Sequence, residues 1–484
     1  MNIVWATSEA VPFAKTGGLA DVSSSLPSAL ADAGHSVSVI MPFYPQKMGN
    51  LSLNFTNVYE NLKVPMNGVE EWASVRELKL KKNLTFYFVE FNRFYDRPTL
   101  YDWNGTEYSD NAQRFIFLSR AVMEISLNLQ LKPDIIHAND WHTALCCVYL
   151  RSHLYRDKFP GCRSVLTIHN IGYQGVFDKS NMCWMDLGWE YFNFQCLEYY
   201  DRINLLKSGI MTADMVSTVS PTYAKEILTP DYGFGLQDSL RQAEYEGRLR
   251  GILNGVDVSV WNPETDSLLP ATFSAEDLSG KQVCRKALQE QFHLPPREDV
   301  PLFAVISRLA TQKGLDVLAD ALEQVLRSSD IQVVAAASGD PHLEYRYSSL
   351  ADRYPEKMKV FLGYASDKTA HLIEAGADFF LMPSRYEPCG LNQMYSMRFG
   401  TLPIVRETGG LADTVTPPGN DKPTGFRFRD LYPEALVNTI RWAADIRKND
   451  PTLFDSMRHN AMTADFSWNR TATEYERLYE DAHR

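Results

Sequence analysis

Short, almost unbroken apolar runs alternate along this chain with longer stretches whose apolar residues return every three or four positions. "NIVWAT", "HSVSVIMPF", "NLTFYFVEF", "PDIIHAN", "SVLTIHN" and "DMVSTVS" predict buried strands in the first half. "PLFAVISRL", "IQVVAAASG", "MKVFLGY", "ADFFLMPS" and "LPIVRET" predict them in the second. Between them, "LADVSSSLPSALADAG", "DNAQRFIFLSRAVMEISLNL" and "GLDVLADALEQVLRSS" carry the period of an amphipathic helix. Strands covered on both faces read as continuous apolar runs, so the alternation specifies an α/β fold of doubly wound parallel sheets.

The pattern forms two series, divided by the Gly- and Pro-punctuated "EGRLRGILNGVDVSVWNPETD". The chain has 484 residues, beyond the roughly 250–300 at which single cores stop growing. Two domains are therefore expected, 1–250 and 251–465. The helix-like, aromatic "FSWNRTATEYERLYEDAHR" (466–484) is expected to cross back and brace the first. Open α/β sheets take ligands at the carboxyl ends of their strands, which places a binding crevice between the two domains.

One hexapeptide, "TGGLAD", stands at 16–21 and again at 408–413, each time between a strand and a helix-like pattern. Glycine lets backbone approach a ligand, and a helix N-terminus offers unpaired N–H groups to an anion. Each copy alone is also explained as a tight strand-to-helix connection.

Composition narrows the partners. A formal charge of −12, spread along the chain, disfavours nucleic acid and anionic membrane. An anionic substrate would then need its own cluster of Lys and Arg. Seven cysteines without a C-x-x-C pair fit neither a disulfide framework nor a zinc site, and suit a reducing compartment. The start "MNIVWATSEA" lacks the basic and apolar regions of a signal peptide. No apolar run approaches the ~18 residues of a membrane span. A cytoplasmic protein is expected.

The stretch "KTGGLADV" resembles the N-terminal signature of bacterial glycogen synthases and plant starch synthases, glycosyltransferase family 5. "HANDWHTAL", "TIHNIGYQG", "ILNGVD", "SRLATQKGLD", "PSRYEPCGLNQM" and "GTLPIVRETGGLADTV" are similar to that family in the same order, from residue 1 to about 480. The resemblance implies a GT-B fold, two Rossmann-like domains facing a deep interdomain cleft. It implies a retaining transferase that adds glucose from ADP-glucose to the 4-hydroxyl of an α-1,4-glucan or maltooligosaccharide, with no metal or other cofactor. Transfer from UDP-glucose, or association with glycogen or starch granules, is left open by these residues.

A departing diphosphate needs its charge met, and Arg308 and Lys313 sit five apart after a strand, at a helix start. Alone they are either a phosphate clamp or surface charges; the resemblance makes them the clamp. Lys15, before the first Gly17-Gly18 pair, is by itself either a solvated lysine or one that reaches the donor phosphate or sugar, and Asp21 in the following first turn either contacts substrate or offsets the helix dipole. His169 ends a strand, and the resemblance sets it beside the transferred glucose. Asp140 and Asn254 are implied as substrate contacts, and Tyr364 as the residue stacking on the base. Tyr95 is expected to flank the crevice from an exposed loop. Glu387 is implied to position the donor sugar, with Cys389, Gly390 and Leu391 acting through backbone. Thr408, Gly409 and Gly410 would then form a second glycine-lined turn beside the donor. The position eight residues past Glu387, a second Glu in many retaining GT-B enzymes, is Tyr395, as in glycogen and starch synthases.

Retention invites a covalent nucleophile, but no carboxylate is placed for one. Front-face substitution is the preferred mechanism, the leaving phosphate oxygen taking the acceptor proton. A nicotinamide dehydrogenase would need G-x-G-x-x-G after the first strand, where the chain has "KTGGLA". A phosphorylase would carry a pyridoxal-phosphate lysine in a longer chain. A non-catalytic glucan-binding protein would not need the cations and Glu387 that this chain retains.

Overall fold

The computed structural model describes residues 1–49 and 51–484, in two compact units: Met1–Gly255 with Trp468–Arg484, and Val256–Ser467. In the first, nine strands form one sheet: β1 (Asn2–Ala6), β2 (Ser36–Pro42), β3 (Thr56–Met66), β4 (Val69–Lys81), β5 (Leu84–Glu90), β6 (Ile135–Asn139), β7 (Arg163–Ile168), β8 (Met215–Thr218) and β9 (Leu249–Gly251). Their order is β9-β8-β7-β6-β1-β2-β5-β4-β3. The pairs from β9 to β5 are parallel. Chain order reverses at β1, which has β2 on one flank and β6 on the other, so the ligand crevice of this sheet lies where β1 and β6 end.

The antiparallel β3–β4 hairpin at the far edge breaks the apolar rule. Its strands are half exposed and rich in charge, so no buried run marks them. Asn67 and Gly68 turn it with φ of 55° and 68°, and an Asn-Gly pair between alternating residues was the available signal.

The second unit has six parallel strands: β10 (Leu302–Leu309), β11 (Gln332–Gly339), β12 (Met358–Leu362), β13 (Phe379–Met382), β14 (Leu402–Arg406) and β15 (Phe426–Phe428). They run β12-β11-β10-β13-β14-β15, with the reversal between β10 and β13. Asp378 secures the opposite end of these two strands. It accepts the Leu302 N–H at 2.9 Å and the guanidinium of Arg285 at 2.6 Å, with Arg447 and Arg458 beside it. Those three cations overcome the burial and hold its carboxyl down to about 2.

Four helices frame the strand ends: α1 (Gly18–Asp32), α2 (Leu315–Ser328), α3 (Asn392–Arg398) and α4 (Trp468–Ala482). Leu19, Val22, Leu26 and Leu30 give α1 a buried stripe at helical spacing. In α4, Trp468, Ala472, Tyr475, Tyr479 and Ala482 do the same against the first unit. There the Tyr479 hydroxyl lies 2.8 Å from Nδ1 of buried His137 on β6. Gly255 admits α4 closely, since a Cβ there would meet Trp468 at 2.8 Å. No helix of the described residues is long and apolar enough to cross a membrane.

Candidate functional site

Both switch points carry polar clusters. In the first unit, the backbone leaves β6 through Asp140 at φ 53°, outside the region most side chains prefer. Asp140 Oδ1 accepts the His169 N–H at 2.7 Å, tying the end of β6 to the end of β7. Burial raises the Asp140 carboxyl to about 7. His169 Nε2–H donates to Asn139 Oδ1 at 2.9 Å, whose amide in turn donates to Ala6 O on β1. Burial pushes the His169 pKa down to about 3, so at neutral pH the ring is an uncharged hydrogen-bonding group whose Nδ1 holds a lone pair.

After β1, the first TGG copy is open. Lys15, Thr16, Gly17 and Gly18 are exposed, Gly17 is extended, and a Cβ built on it meets nothing within 4 Å. Lys15 Nζ reaches Asp21 in the first turn of α1 at 2.8 Å. Asn254, beyond β9, is buried, and its Oδ1 has no hydrogen-bond partner among the described residues. An unsatisfied buried acceptor costs about 1–3 kcal/mol, so this amide is suited to meeting a donor from a ligand.

In the second unit, Arg308 ends β10 exposed and in no ion pair among the described residues. Gly314, at φ 65°, follows Lys313 and packs so tightly that a Cβ would stand 2.0 Å from Pro383 O. The Arg385 N–H donates to Gln312 O at 2.8 Å, and its guanidinium grips Asp316 through two bonds of 2.7 Å. These contacts lay the loop after β10 on the loop after β13. Lys313 Nζ consequently stands 2.6 Å from Glu387 Oε2, which also accepts from Ser384 Oγ at 2.9 Å. Lys313 and Glu387, 74 residues apart in the chain, form one ion pair at the sheet's crevice.

Family models match along the chain: the starch synthase catalytic domain over residues 2–242 and glycosyl transferases group 1 over 288–460. A glycogen synthase of Anaeromyxobacter sp. (strain Fw109-5) is 45% identical over 482 residues, 99% of both chains. The chain belongs to the glycogen and starch synthases. A glycogen synthase of Myxococcus xanthus (strain DK1622) is 44% identical over 99% of each chain. The catalytic domain of starch synthase IV from Arabidopsis thaliana, solved with ADP and acarbose, aligns at TM-score 0.89 and 31% identity over 99% of each chain. A sucrose-phosphate synthase from Thermosynechococcus elongatus, 18% identical at TM-score 0.61, shares the fold. The chain is thus a GT-B glycosyltransferase of this family, with two parallel-sheet α/β units.

One expectation needs correction. Tyr95 is not an exposed loop residue: it is fully buried, its hydroxyl donates to Arg114 O at 2.9 Å, and its ring packs on Tyr44 and Phe94. The "FYDRP" loop turns inward there because Phe94 and Tyr95 fill the core beside Phe117. The tyrosine at the strand ends is Tyr101, whose hydroxyl lies 2.7 Å from Ser8 Oγ and whose ring centroid is 4.7 Å from that of His142. Nothing in the local pattern separates the two. Replacing Tyr95 by Phe is expected to cost about 1 kcal/mol of stability and leave donor KM unchanged, measured by urea unfolding and initial rates.

The second TGG copy differs from the first. Thr408, Gly409 and Gly410 are buried, and a Cβ on Gly409 or Gly410 would stand 1.9 Å from Glu387 O or 2.1 Å from Cys389 O. The Gly410 N–H donates back to Glu387 O and Pro388 O, both at 3.2 Å. This glycine-lined turn is the seat of the Glu387–Cys389 segment. Gly390, at φ 72°, and Leu391 complete that segment before α3, with Gln393 Nε2 donating to Cys389 O and Gly390 O. Cys389 is buried. Tyr395 stacks on Trp261 with centroids 3.9 Å apart, and Trp261 on His371, which Asp266 holds at 2.6 Å. Tyr364 is 87% exposed just past β12, with a whole aromatic face available.

Proposed function

We propose that the chain lengthens α-1,4-glucan by retaining transfer of glucose from ADP-glucose, with Arg308 and Lys313 receiving the leaving diphosphate. The observation that carries this reading is the Lys313–Glu387 pair, held 2.6 Å apart where β10 and β13 end, with Arg308 exposed on the same strand end. The pair offers a cation for phosphate and an acceptor for sugar hydroxyls side by side. Preorganised charge of this kind stabilises the transition state without rearrangement during the reaction.

In the proposed front-face step the C1–O bond to the β-phosphate breaks as the acceptor O4–C1 bond forms. The acceptor proton passes to the departing phosphate oxygen. Glu387 orients the glucose, with Cys389, Gly390 and Leu391 contributing backbone. His169, neutral and fixed by Asn139 and Asp140, hydrogen-bonds a glucose hydroxyl. Lys15, Gly17, Gly18 and Asp21 serve the donor from the first unit, with Asn254 as a further contact, and Tyr364 stacks on the adenine. Phosphate charge is met by side chains, so the reaction is proposed to need no metal or cofactor, and to run in the cytoplasm.

The test is a rate comparison with maltooligosaccharide as acceptor. ADP-glucose should be used with much higher kcat/KM than UDP-glucose, EDTA should leave the rate unchanged, and the new linkage should be α. Preference for UDP-glucose, or a glucosylated side chain trapped during turnover, would overturn the corresponding part.

A further inference from the structure

We infer that Glu9 is a positioning residue of the transfer reaction: its carboxylate, buried under the Thr16–Gly17 turn, holds the loop that presents Lys15 and the open start of α1. The inference rests on the proposed action of Lys15 on the donor.

Glu9 is 3% exposed. It accepts from the Thr16 N–H at 2.5 Å and from Thr16 Oγ1 at 2.9 and 3.1 Å, and a further hydrogen bond comes from the Gly17 N–H. Its own backbone N–H faces Thr7 Oγ1, which donates to Glu9 O and so fixes the approach from β1. The groups facing it are acidic or phenolic: Asp21 on α1, Asp140 after β6, Tyr44 after β2, and Tyr101. Among the described residues no cation pairs with it. Burying a lone carboxylate is costly, and here the return is local: one side chain takes up the donors of an exposed turn that no helix or strand satisfies. No apolar side chain can do this. An amide replaces one acceptor oxygen by a donor that would face other donors.

Asp140 acts in the same way on the neighbouring strand, accepting the His169 N–H and a hydrogen bond from Asn170. Two buried carboxylates at adjacent strand ends thus each hold one loop, one bearing Lys15 and the other His169. Burial raises both to about 7. The charge of Glu9 adds to the rise at Asp140, after burial. Protonation turns an acceptor oxygen of Glu9 toward the turn as a donor and releases it. Ionised Glu9 is the holding form, and the hold is lost as pH falls through neutrality. The charge is disfavoured by burial above the carboxyl's unfolded pKa, so removing it does not lower folding stability.

The test uses the full chain with Glu9→Gln, Thr16→Val and Lys15→Ala, reading donor kcat/KM from acid to alkaline pH, acceptor KM and Tm. Glu9→Gln should lower donor kcat/KM about tenfold above neutrality, with Tm and acceptor KM retained. Its acid limb should move to lower pH, because Asp140 has lost a neighbouring negative charge. Thr16→Val, an exposed position, should give a smaller loss in the same direction. A folded Glu9→Gln enzyme with wild-type donor kcat/KM and an unmoved limb overturns the inference. If that variant does not fold, wild-type donor kinetics in Thr16→Val overturn it instead. An unaffected Lys15→Ala enzyme removes the underlying assignment of Lys15, whereas an impaired one beside an unaffected Glu9→Gln refutes only the role of Glu9.

Discussion

Replacing Lys313 by alanine is expected to lower kcat/KM for glucosyl transfer by about 10²–10³-fold, some 3–4 kcal/mol of transition-state stabilisation. Two effects combine. The departing diphosphate loses one of its two proposed cations, and Glu387, buried and 2.6 Å from Nζ, keeps Ser384 as its one side-chain donor among the described residues. Stability should fall by about 1–3 kcal/mol from that unpaired acceptor, leaving a folded enzyme. Lys313→Arg should recover part of the rate, since charge is kept while the point-like ammonium geometry is lost. Steady-state kinetics with ADP-glucose, paired with thermal unfolding, separate the two effects. A Lys313→Ala enzyme of undiminished kcat/KM would remove this residue from the diphosphate site.

Alanine at Gly409 should be almost as damaging, for a reason seated in packing. The residue has φ of 44°, and a Cβ would stand 1.9 Å from Glu387 O, a backbone atom that cannot swing aside. Accommodating it must displace the segment that carries Glu387, with an expected stability loss of about 2–4 kcal/mol and a fall in kcat of about 10²-fold from the misplaced carboxylate. Gly17→Ala, in the other copy of the hexapeptide, supplies the contrast. It is extended and meets nothing within 4 Å, so stability should stay within about 0.5 kcal/mol. Any kinetic loss there reports a ligand approaching the backbone. Unfolding curves and initial rates for the two variants test this directly; similar stability losses in both would refute the distinction.

The contrast shows how far identical letters can be read. "TGGLAD" predicts a strand-to-helix turn in both places, and both are such turns, because backbone freedom is a local property. Whether the space beside the glycines is open or filled by Glu387–Cys389 depends on a segment from an earlier strand end, and no local pattern encodes that. The tyrosines behave alike. Tyr95 and Tyr101 occupy one polar, aromatic stretch, and only packing sends one ring into the core and brings the other to Ser8 and His142. Glu9 is the same kind of case: a lone acid after a strand carries no signal apart from the turn it holds.

By itself the sequence determined the buried parallel strands, the amphipathic helices between them, and, through its long motif blocks, the family. Those properties follow from residue-by-residue preference for burial and from stretches too specific to recur by accident. Only the tertiary structure decided which polar ends meet: Lys313 with Glu387, Asp140 with the backbone of His169, Glu9 with the Thr16 turn. Hydrophobic periodicity says which face of an element is covered. It is silent on which loop lies over which, because that is settled by strand order and by close backbone approaches such as those at Gly314 and Gly409.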